Sequence, residues 1–295
     1  MRFLILGGTG LIGSHLADEC SRRRLPHLGT WCRTPNAEFA PVDVRDPDSV
    51  NELVADYQPD VTFLAAGVSC PSYAEQFASE HADVNVTGTA TVAKSVARHG
   101  GSLVLFSSDA VFGDCSTARR EEDPVAPAGA FARGKVEAEA AVRTVLPTRH
   151  LILRTGWVFG TGDRGLASRL ASGERVPAAT DRFGQPTFAG DLAAAAIELS
   201  RLGHTGTFHA VGPEKHSEFT FARTAAHVFG HDTDLIEGLP AARIDDRDPR
   251  PMRVWLDRFK LRGVLGAKAF RTPADGLRMV RDEVFGAAGA TLRAA

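Results

Sequence analysis

Glycines at 7, 8, 10 and 13 stand between an apolar run, Phe3 to Leu6, and an apolar helix start in which Leu11, Ile12, Leu16 and Ala17 fall at helical spacing. They satisfy G-x-G-x-x-G counted from Gly8 and G-x-x-G-x-x-G counted from Gly7. The chemistry of such a turn is anion binding. Its early glycines let backbone approach a ligand closely, its last lets helix pack on strand, and a pyrophosphate can sit on the unpaired N–H groups of the helix. A glycine-rich turn without a ligand is the alternative, and the order strand, turn, helix at the start of the chain favours a dinucleotide.

Folds that take NAD place an acid about 20 positions beyond the glycines to hold the ribose 2′-hydroxyl. Here the region reads Trp31-Cys32-Arg33-Thr34, with Arg33 where the acid would stand. Arginine there favours a 2′-phosphate, hence NADP, with NAD as the alternative; an ordinary exposed arginine is the competing reading. Asp43 is placed to face the adenine. Ala65, Ala66 and Gly67 close a buried strand with small residues, against which a cofactor can lie.

The elements that must carry these residues alternate. Strands are expected at 3–6, 27–32, 61–67, 102–107 and 150–154. Helices are expected near 48–57, from 72 to 99 with an interruption at Asn85 and Gly88, and at 131–145. Asp46 and Asp48 are candidate caps. This alternation implies an α/β chain with a Rossmann-like, doubly wound parallel sheet. The loop from Gly113 to Gly129 is long and rich in Pro, Gly and charge, as functional lids are. Its Arg119–Asp123 run reads as solvated charge. Beyond Gly160 the pattern loosens. Segment 162–184 is loop-rich, 190–201 an Ala-rich helix and 206–211 a strand. Helices follow near 219–229, 256–265 and 274–285, around a charged loop at 245–251, and the tail GAAGATLRAA is expected to fray. We therefore expect a dinucleotide-binding domain over 1–160, to which segments at about 187–215 return. A smaller, discontinuous substrate lobe is expected over 161–295.

Composition narrows the classes. The chain has 295 residues, 43% hydrophobic and 24% charged, with a net charge of −2, values of an ordinary globular protein. No basic stripe points to nucleic acid or an anionic membrane. The apolar start is too short for a signal peptide or a membrane span, so a cytoplasmic location is expected. Cys20, Cys32, Cys70 and Cys115 are scattered, with no metal-ligand spacing, and read as reduced, mostly structural thiols. His81, His209 and His216 show no metal pattern. Asp245, Asp246 and Asp248 read as a solvated loop, and no metal is expected.

Several stretches together resemble the extended short-chain dehydrogenase/reductase family, in its dTDP-4-dehydrorhamnose reductase branch. They are GGTGLIGSHL, PDVTFLAAG, Asn85-Val86-Thr87-Gly88, LVLFSSDAVFG, LRTGWVFG, GQPTFAGDLA, GTFHAVG and LDRFKLRGVLG, which span nearly the whole chain. The resemblance implies reduction of a keto group on a nucleotide-activated deoxysugar by NADPH. A homodimer is compatible with it. It implies a catalytic Ser or Thr at a strand end and Tyr-x-x-x-Lys on the next helix. Ser108 matches the hydroxyl residue, with Ser107 second, and Lys135 matches the lysine. Position 131, where the family has its tyrosine, is Phe. The tyrosine would give its proton to the carbonyl oxygen, helped by the lysine cation four residues on. Phe131 keeps the ring and deletes that hydroxyl. Replacement of Tyr by Phe to trap a complex and a natural loss of the acid would both leave this pattern.

For the cofactor, the resemblance adds Thr9, Leu11, Ile12, Val44 and Lys135 to the glycines. For the substrate it implies Ser69, Tyr73, Asp109, Trp157 and Gln185, with Asp181, Arg182 and Thr187 in the same pocket region. Core packing competes for Trp157, ion pairing for Arg154, and an ordinary helix-start aromatic for Tyr73. Two other roles fit the same scaffold. One is a redox-neutral lyase, dehydratase or epimerase; the other is a non-catalytic, NAD(P)-binding regulatory subunit.

Overall fold

The computed structural model describes residues 1–161, 169, 174–245 and 249–292, with side chains up to Val284. Seven strands form the central sheet: β1 (Phe3–Leu6), β2 (His27–Trp31), β3 (Ala40–Pro41), β4 (Val61–Leu64), β5 (Ser102–Ser108), β6 (His150–Thr155) and β11 (Gly206–His209). Their spatial order is β11-β6-β5-β4-β1-β2-β3. Every pairing in it is parallel, with Phe3 beside Val61, Val61 beside Ser102 and Leu103 beside His150. The order reverses between β1 and β4, and in open α/β sheets ligands bind at such a switch point, off the carboxyl ends of the strands.

Alternation along each strand divides the core. Phe3, Ile5, Phe63, Val104, Phe106, Leu151 and Leu153 face one way, onto α1 (Leu11–Arg22) and α7 (Ala189–Arg201). Leu4, Leu6, Leu64, Leu103, Leu105 and Ile152 face the other way, onto α2 (Pro47–Tyr57), α5 (Gly88–His99) and α6 (Gly129–Val145). Burial of strands on both faces explains their unbroken apolar runs. Each large side chain removed from water contributes about 1.5–3 kcal/mol. Helix α2 begins where Asp46 accepts hydrogen bonds from the Asp48 and Ser49 N–H groups, so Asp46 is the cap and Asp48 is not.

The expected 72–99 helix is three pieces: α3 (Pro71–Gln76), α4 (Ala78–Ala82) and α5, with a π-helical turn at Asp83–Thr87 before α5. Strand β4 ends at Leu64, short of Gly67, and α6 starts at Gly129, ahead of Phe131. Around these lie β7 (Val158–Phe159), β8 (Val176–Ala179), β9 (Phe183–Gly184), β10 (Thr187–Phe188), β12 (His216–Ser217), α8 (Glu218–Phe229), β13 (Ile236–Leu239), α9 (Ala241–Ile244), α10 (Phe259–Leu265) and α11 (Pro273–Leu292). The short strands pair as β7 with β10, β9 with β12 and β8 with β13. They cross a stretch expected to be loop, because two-residue strands carry too little periodicity to read. Helix α11 runs on through Leu292 where fraying was expected. Of the loop-rich 162–184 segment, 162–168 and 170–173 lie outside the described residues, as do Asp246 and Asp248.

The Gly113–Gly129 loop is tied to the body of the molecule. The Arg119 N–H donates to Trp255 O at 2.8 Å and Asp257 N–H to Arg119 O at 2.7 Å. The Glu121 carboxylate accepts from His209 N–H at 2.9 Å, and its carbonyl accepts from Arg154 at 3.1 Å. The charge run is therefore partly sewn into the body, against the solvated reading. The cysteines divide: Cys20 and Cys115 are buried, Cys32 and Cys70 exposed.

Candidate active site

A cavity of about 570 Å³ opens off the carboxyl ends of β1, β4, β5 and β6. Gly10, Leu11 and Ile12 form one end and Ala65 to Ser69 the wall. Ser108, Asp109, Phe131, Lys135 and Trp157 form the other end.

The glycine turn is dictated by backbone contacts. Gly7 has φ +86°, and a Cβ there would lie 2.6 Å from Ala66 N. A Cβ on Gly13 would lie 2.0 Å from Gly7 O, so α1 can approach β1 only with hydrogen at that position. Gly7 N–H donates to the Thr30 hydroxyl at 3.0 Å, and Gly10 N–H to Gly7 O at 3.0 Å. The N-terminus of α1 is capped by no side chain and has no acid in its first turn. Free N–H groups with a positive helix end, facing a cavity walled by small residues, fit a dinucleotide pyrophosphate.

Of the residues expected around a cofactor, Gly10, Leu11, Ile12, Ala65, Ala66, Gly67 and Lys135 line this cavity. Gly7 and Gly13 shape the turn from behind, and Thr9 lies within it. Arg33 is exposed just past β2. Asp43 stands outside the cavity lining, in an ion pair with Arg45 at 2.6 Å whose hydrogen bonds hold its carboxyl below the usual range. Val44 is buried against Gly88 and belongs to the core.

At the other end, β5 delivers Ser108 and α6 delivers Phe131 and Lys135. The Lys135 ammonium donates to Phe106 O at 2.9 Å and lies 5.8 Å from the centroid of the Phe131 ring. Burial pulls its pKa down to about 8, although Glu139 acts to raise it. The Ser108 hydroxyl donates to Asp109 Oδ1 at 3.1 Å and accepts from Ala110 N–H at 3.1 Å. Asp109, on the turn after β5, is 9% exposed. Burial pushes its carboxyl up to about 6.

Behind this corner lies a buried charge network. Glu139 accepts from Ser107 at 2.6 Å, from Arg154 at 2.9 and 2.8 Å and from Arg143 at 2.9 Å. Burial acts to raise the Glu139 carboxyl, and the bonds and charge of Arg154 outweigh it, leaving the pKa lowered. Arg154 is thus the structural ion-pair partner that the residue types allow.

Five of the residues expected around the substrate do not line the cavity. Tyr73 turns its hydroxyl to Glu80 at 2.7 Å and its ring to Phe77. Gln185 is 5% exposed, accepts from Leu256 N–H at 2.7 Å, and its backbone carbonyl sits against Gly156. Its amide is committed to backbone, so it supports the floor. Asp181 accepts from Ala241 N–H, Arg182 is buried near Glu218, and Thr187 bonds Gln185 O; none lines the cavity. Ser69, Asp109 and Trp157 do line it.

Sequence reasoning missed Phe183, the Pro249-Arg250-Pro251 segment and Val254, all of which line the cavity. The flanking prolines of Arg250 were a legible sign of a stiff loop; Phe183 offered none. Asn85 was legible as a helix interruption and as part of a matching stretch, without a role. Its amide clamps Val68, accepting from Val68 N–H and donating to Val68 O at 2.8 Å each, and so fixes the cavity wall. Among the described residues no group of His, Cys, Asp and Glu could hold a metal ion, and no helix is long and apolar enough to cross a membrane.

Parallel sheet, glycine turn and the Ser108–Lys135 corner define an oxidoreductase of the short-chain dehydrogenase/reductase type. The family model described as the RmlD substrate binding domain matches residues 1–278. The chain belongs to that family. It is 30% identical over 279 residues to a probable low-salt glycan biosynthesis reductase of Haloferax volcanii, covering 90% of this chain and 93% of the relative. It is 31% identical over 260 residues to the dTDP-4-dehydrorhamnose reductase of Mycobacterium tuberculosis, covering 84% and 82%. Its fold is similar to the crystal structure of a dTDP-4-dehydrorhamnose reductase from Clostridium acetobutylicum, with a TM-score of 0.86 at 22% identity, covering 96% and 99%. The Bacillus anthracis enzyme of that name, solved in complex with NADP, gives 0.85 at 22% identity, with the same coverage.

Proposed function

We propose that this chain is an NADPH-dependent reductase of a keto group on a nucleotide-activated deoxysugar, in a form without the tyrosine that would donate the proton. NAD is the alternative cofactor. The observation that carries the reading is the convergence of the open α1 N-terminus, Lys135 and Ser108 on one cavity. The name dTDP-4-dehydrorhamnose reductase, carried by the Mycobacterium tuberculosis relative, supports the substrate class, and the NADP complex of the Bacillus anthracis enzyme supports the cofactor.

When bound, the dinucleotide supplies hydride. The chain's own residues do the rest. The N–H groups at Leu11 and Ile12 hold the pyrophosphate, and Ala65 to Gly67 give the cofactor a surface to lie on. Arg33 is assigned to a 2′-phosphate and Asp43 to the adenine side. Lys135 grips the nicotinamide ribose. Ser108 orients the substrate carbonyl, with Ser69, Asp109 and Trp157 around the sugar; an aromatic face suits sugar C–H surfaces. Phe131 packs where a phenol would stand and offers the carbonyl oxygen no proton.

General acid catalysis is worth about 10²–10⁴-fold, so Phe131→Tyr should raise turnover by that order at a pH of about 8. The measurement is NADPH oxidation with dTDP-4-keto-6-deoxysugars, with cofactor affinity followed separately by fluorescence and expected to stay unchanged. If Phe131→Tyr protein that binds NADPH turns over no keto-sugar nucleotide, the reductase reading is wrong.

A further inference from the structure

Phe131 leaves the carbonyl oxygen without its usual donor, yet the same cavity contains a second acid. Asp109 is nearly sheltered from water, in the turn that directly follows Ser108. Its Oδ1 accepts from the Ser108 hydroxyl, and a Cβ on Gly156 across the cavity floor would be 3.5 Å from its Oδ2. It forms no ion pair among the described residues. The charged group that acts on it comes from the Pro249–Pro251 segment: Arg250, itself paired with Glu218 at 2.9 Å. The end of β6 and the turn to β7 contribute Thr155, Gly156 and Trp157, all uncharged. Helix α6 contributes Lys135, whose ammonium is turned to Phe106 O.

Resting on the reductase reading, we propose that the carboxyl of Asp109 is the proton donor of this chain, taking over from the absent phenol. The step balances. Hydride from the reduced nicotinamide brings both electrons to the carbonyl carbon, and the C=O π pair moves to oxygen. The Asp109 O–H bond breaks as its proton passes to that oxygen, giving the alcohol and a carboxylate, which water reprotonates. With Asp109 protonated the bond between them reverses, the carboxyl donating to Ser108 Oγ and the Ser108 hydroxyl to the carbonyl oxygen, so Ser108 relays the proton and keeps carbonyl and acid in register. A serine hydroxyl alone is too weak an acid for the task. Burial supports the assignment, since it keeps the acid form of Asp109 populated up to pH of about 6.

The test combines Asp109→Asn with Phe131→Tyr. Turnover of a dTDP-4-keto-6-deoxysugar is followed from pH 5 to 8.5, NADPH affinity by fluorescence, and the carboxylic-acid infrared band on protein without cofactor. In the unsubstituted chain, kcat should fall about tenfold per pH unit above about 6 as the acid ionises. Asp109→Asn should lower kcat by ~10²-fold at pH 5.5, abolish that limb, and remove a protonated-acid band present at pH 5. With Tyr at 131, the same change should cost less than about tenfold, because the phenol then supplies the proton. An equal cost in both backgrounds would mean that Asp109 only positions substrate, and would overturn the proposal. So would the absence of the infrared band, or a limb near pH 8 that survives Asp109→Asn and assigns the proton to Lys135. If Phe131→Tyr protein is active while the unsubstituted chain is silent at pH 5.5, the donor assignment fails alone. If neither turns over, the reductase reading fails and takes this proposal with it.

Discussion

The two ends of the cavity are built from different materials. At the glycine turn the functional groups are backbone N–H, and what matters is the absence of side chains; Gly7 and Gly13 approach other backbone so closely that no Cβ fits. At the Ser108–Lys135 corner everything depends on side-chain atoms held by packing from α6 and by the Glu139 network. The first kind of site resists substitution because any change disturbs the fold. The second can change by one oxygen, as between Tyr and Phe at a position such as 131, with ring and volume intact. A chain can thus keep a complete dinucleotide turn while the chemistry at the far end is altered.

The largest effect should come from breaking the first end. Gly13→Val would push a Cβ into Gly7 O, with no flexible neighbour to yield. We expect a loss beyond the ~1–3 kcal/mol of ordinary overpacking, with NADPH binding abolished, read by denaturant unfolding and fluorescence titration. Gly10→Ala, where the same contact would be 3.3 Å, should be tolerated far better. If the two variants behave alike, the turn is not governed by backbone approach.

Next comes the support of the second end. Glu139→Gln removes the charge facing buried Arg154, and should cost about 3–5 kcal/mol in unfolding free energy. The cofactor turn should remain able to bind NADPH in the folded fraction. A cost below about 1 kcal/mol would show that Arg154 finds water or another partner, and that the network does not hold the corner.

The smallest effect is a pH dependence. The Lys135 pKa near 8 in the folded protein lies below its ordinary value of 10.5. Between the two the unfolded chain binds more protons, so stability should rise with pH across that window. Thermal unfolding of the unsubstituted chain and Lys135→Met, compared from pH 7.5 to 10, isolates the contribution. The unsubstituted chain should gain on the variant as pH rises. A stability difference that stays flat, or shifts in favour of the variant as pH rises, means that Lys135 is not desolvated, and that this corner is as open as the turn.

Much of the first end was legible in residue order, since spacing along one strand–turn–helix is local. The corner was legible only through its matching motif, and then only as types: Ser108, a phenylalanine for a tyrosine, Lys135. That Asp109 is sheltered, that Gln185 is consumed by the Leu256 backbone and that Tyr73 turns to Glu80 depends on segments distant in sequence. The Arg119–Asp123 run misled for the same reason, because the strand and loop that pin it lie about 90 and 135 residues further on.

By itself, the sequence determined the parallel sheet, the phosphate-binding turn and the missing hydroxyl, because buried strands, close-approach glycines and residue identity are local properties. Tertiary structure alone decided which acids and bases share a cavity and how far each is withdrawn from water. Burial and charge pairing are sums over neighbours from the whole chain, and they turn Asp109 from a residue in a motif into an acid that can hold its proton.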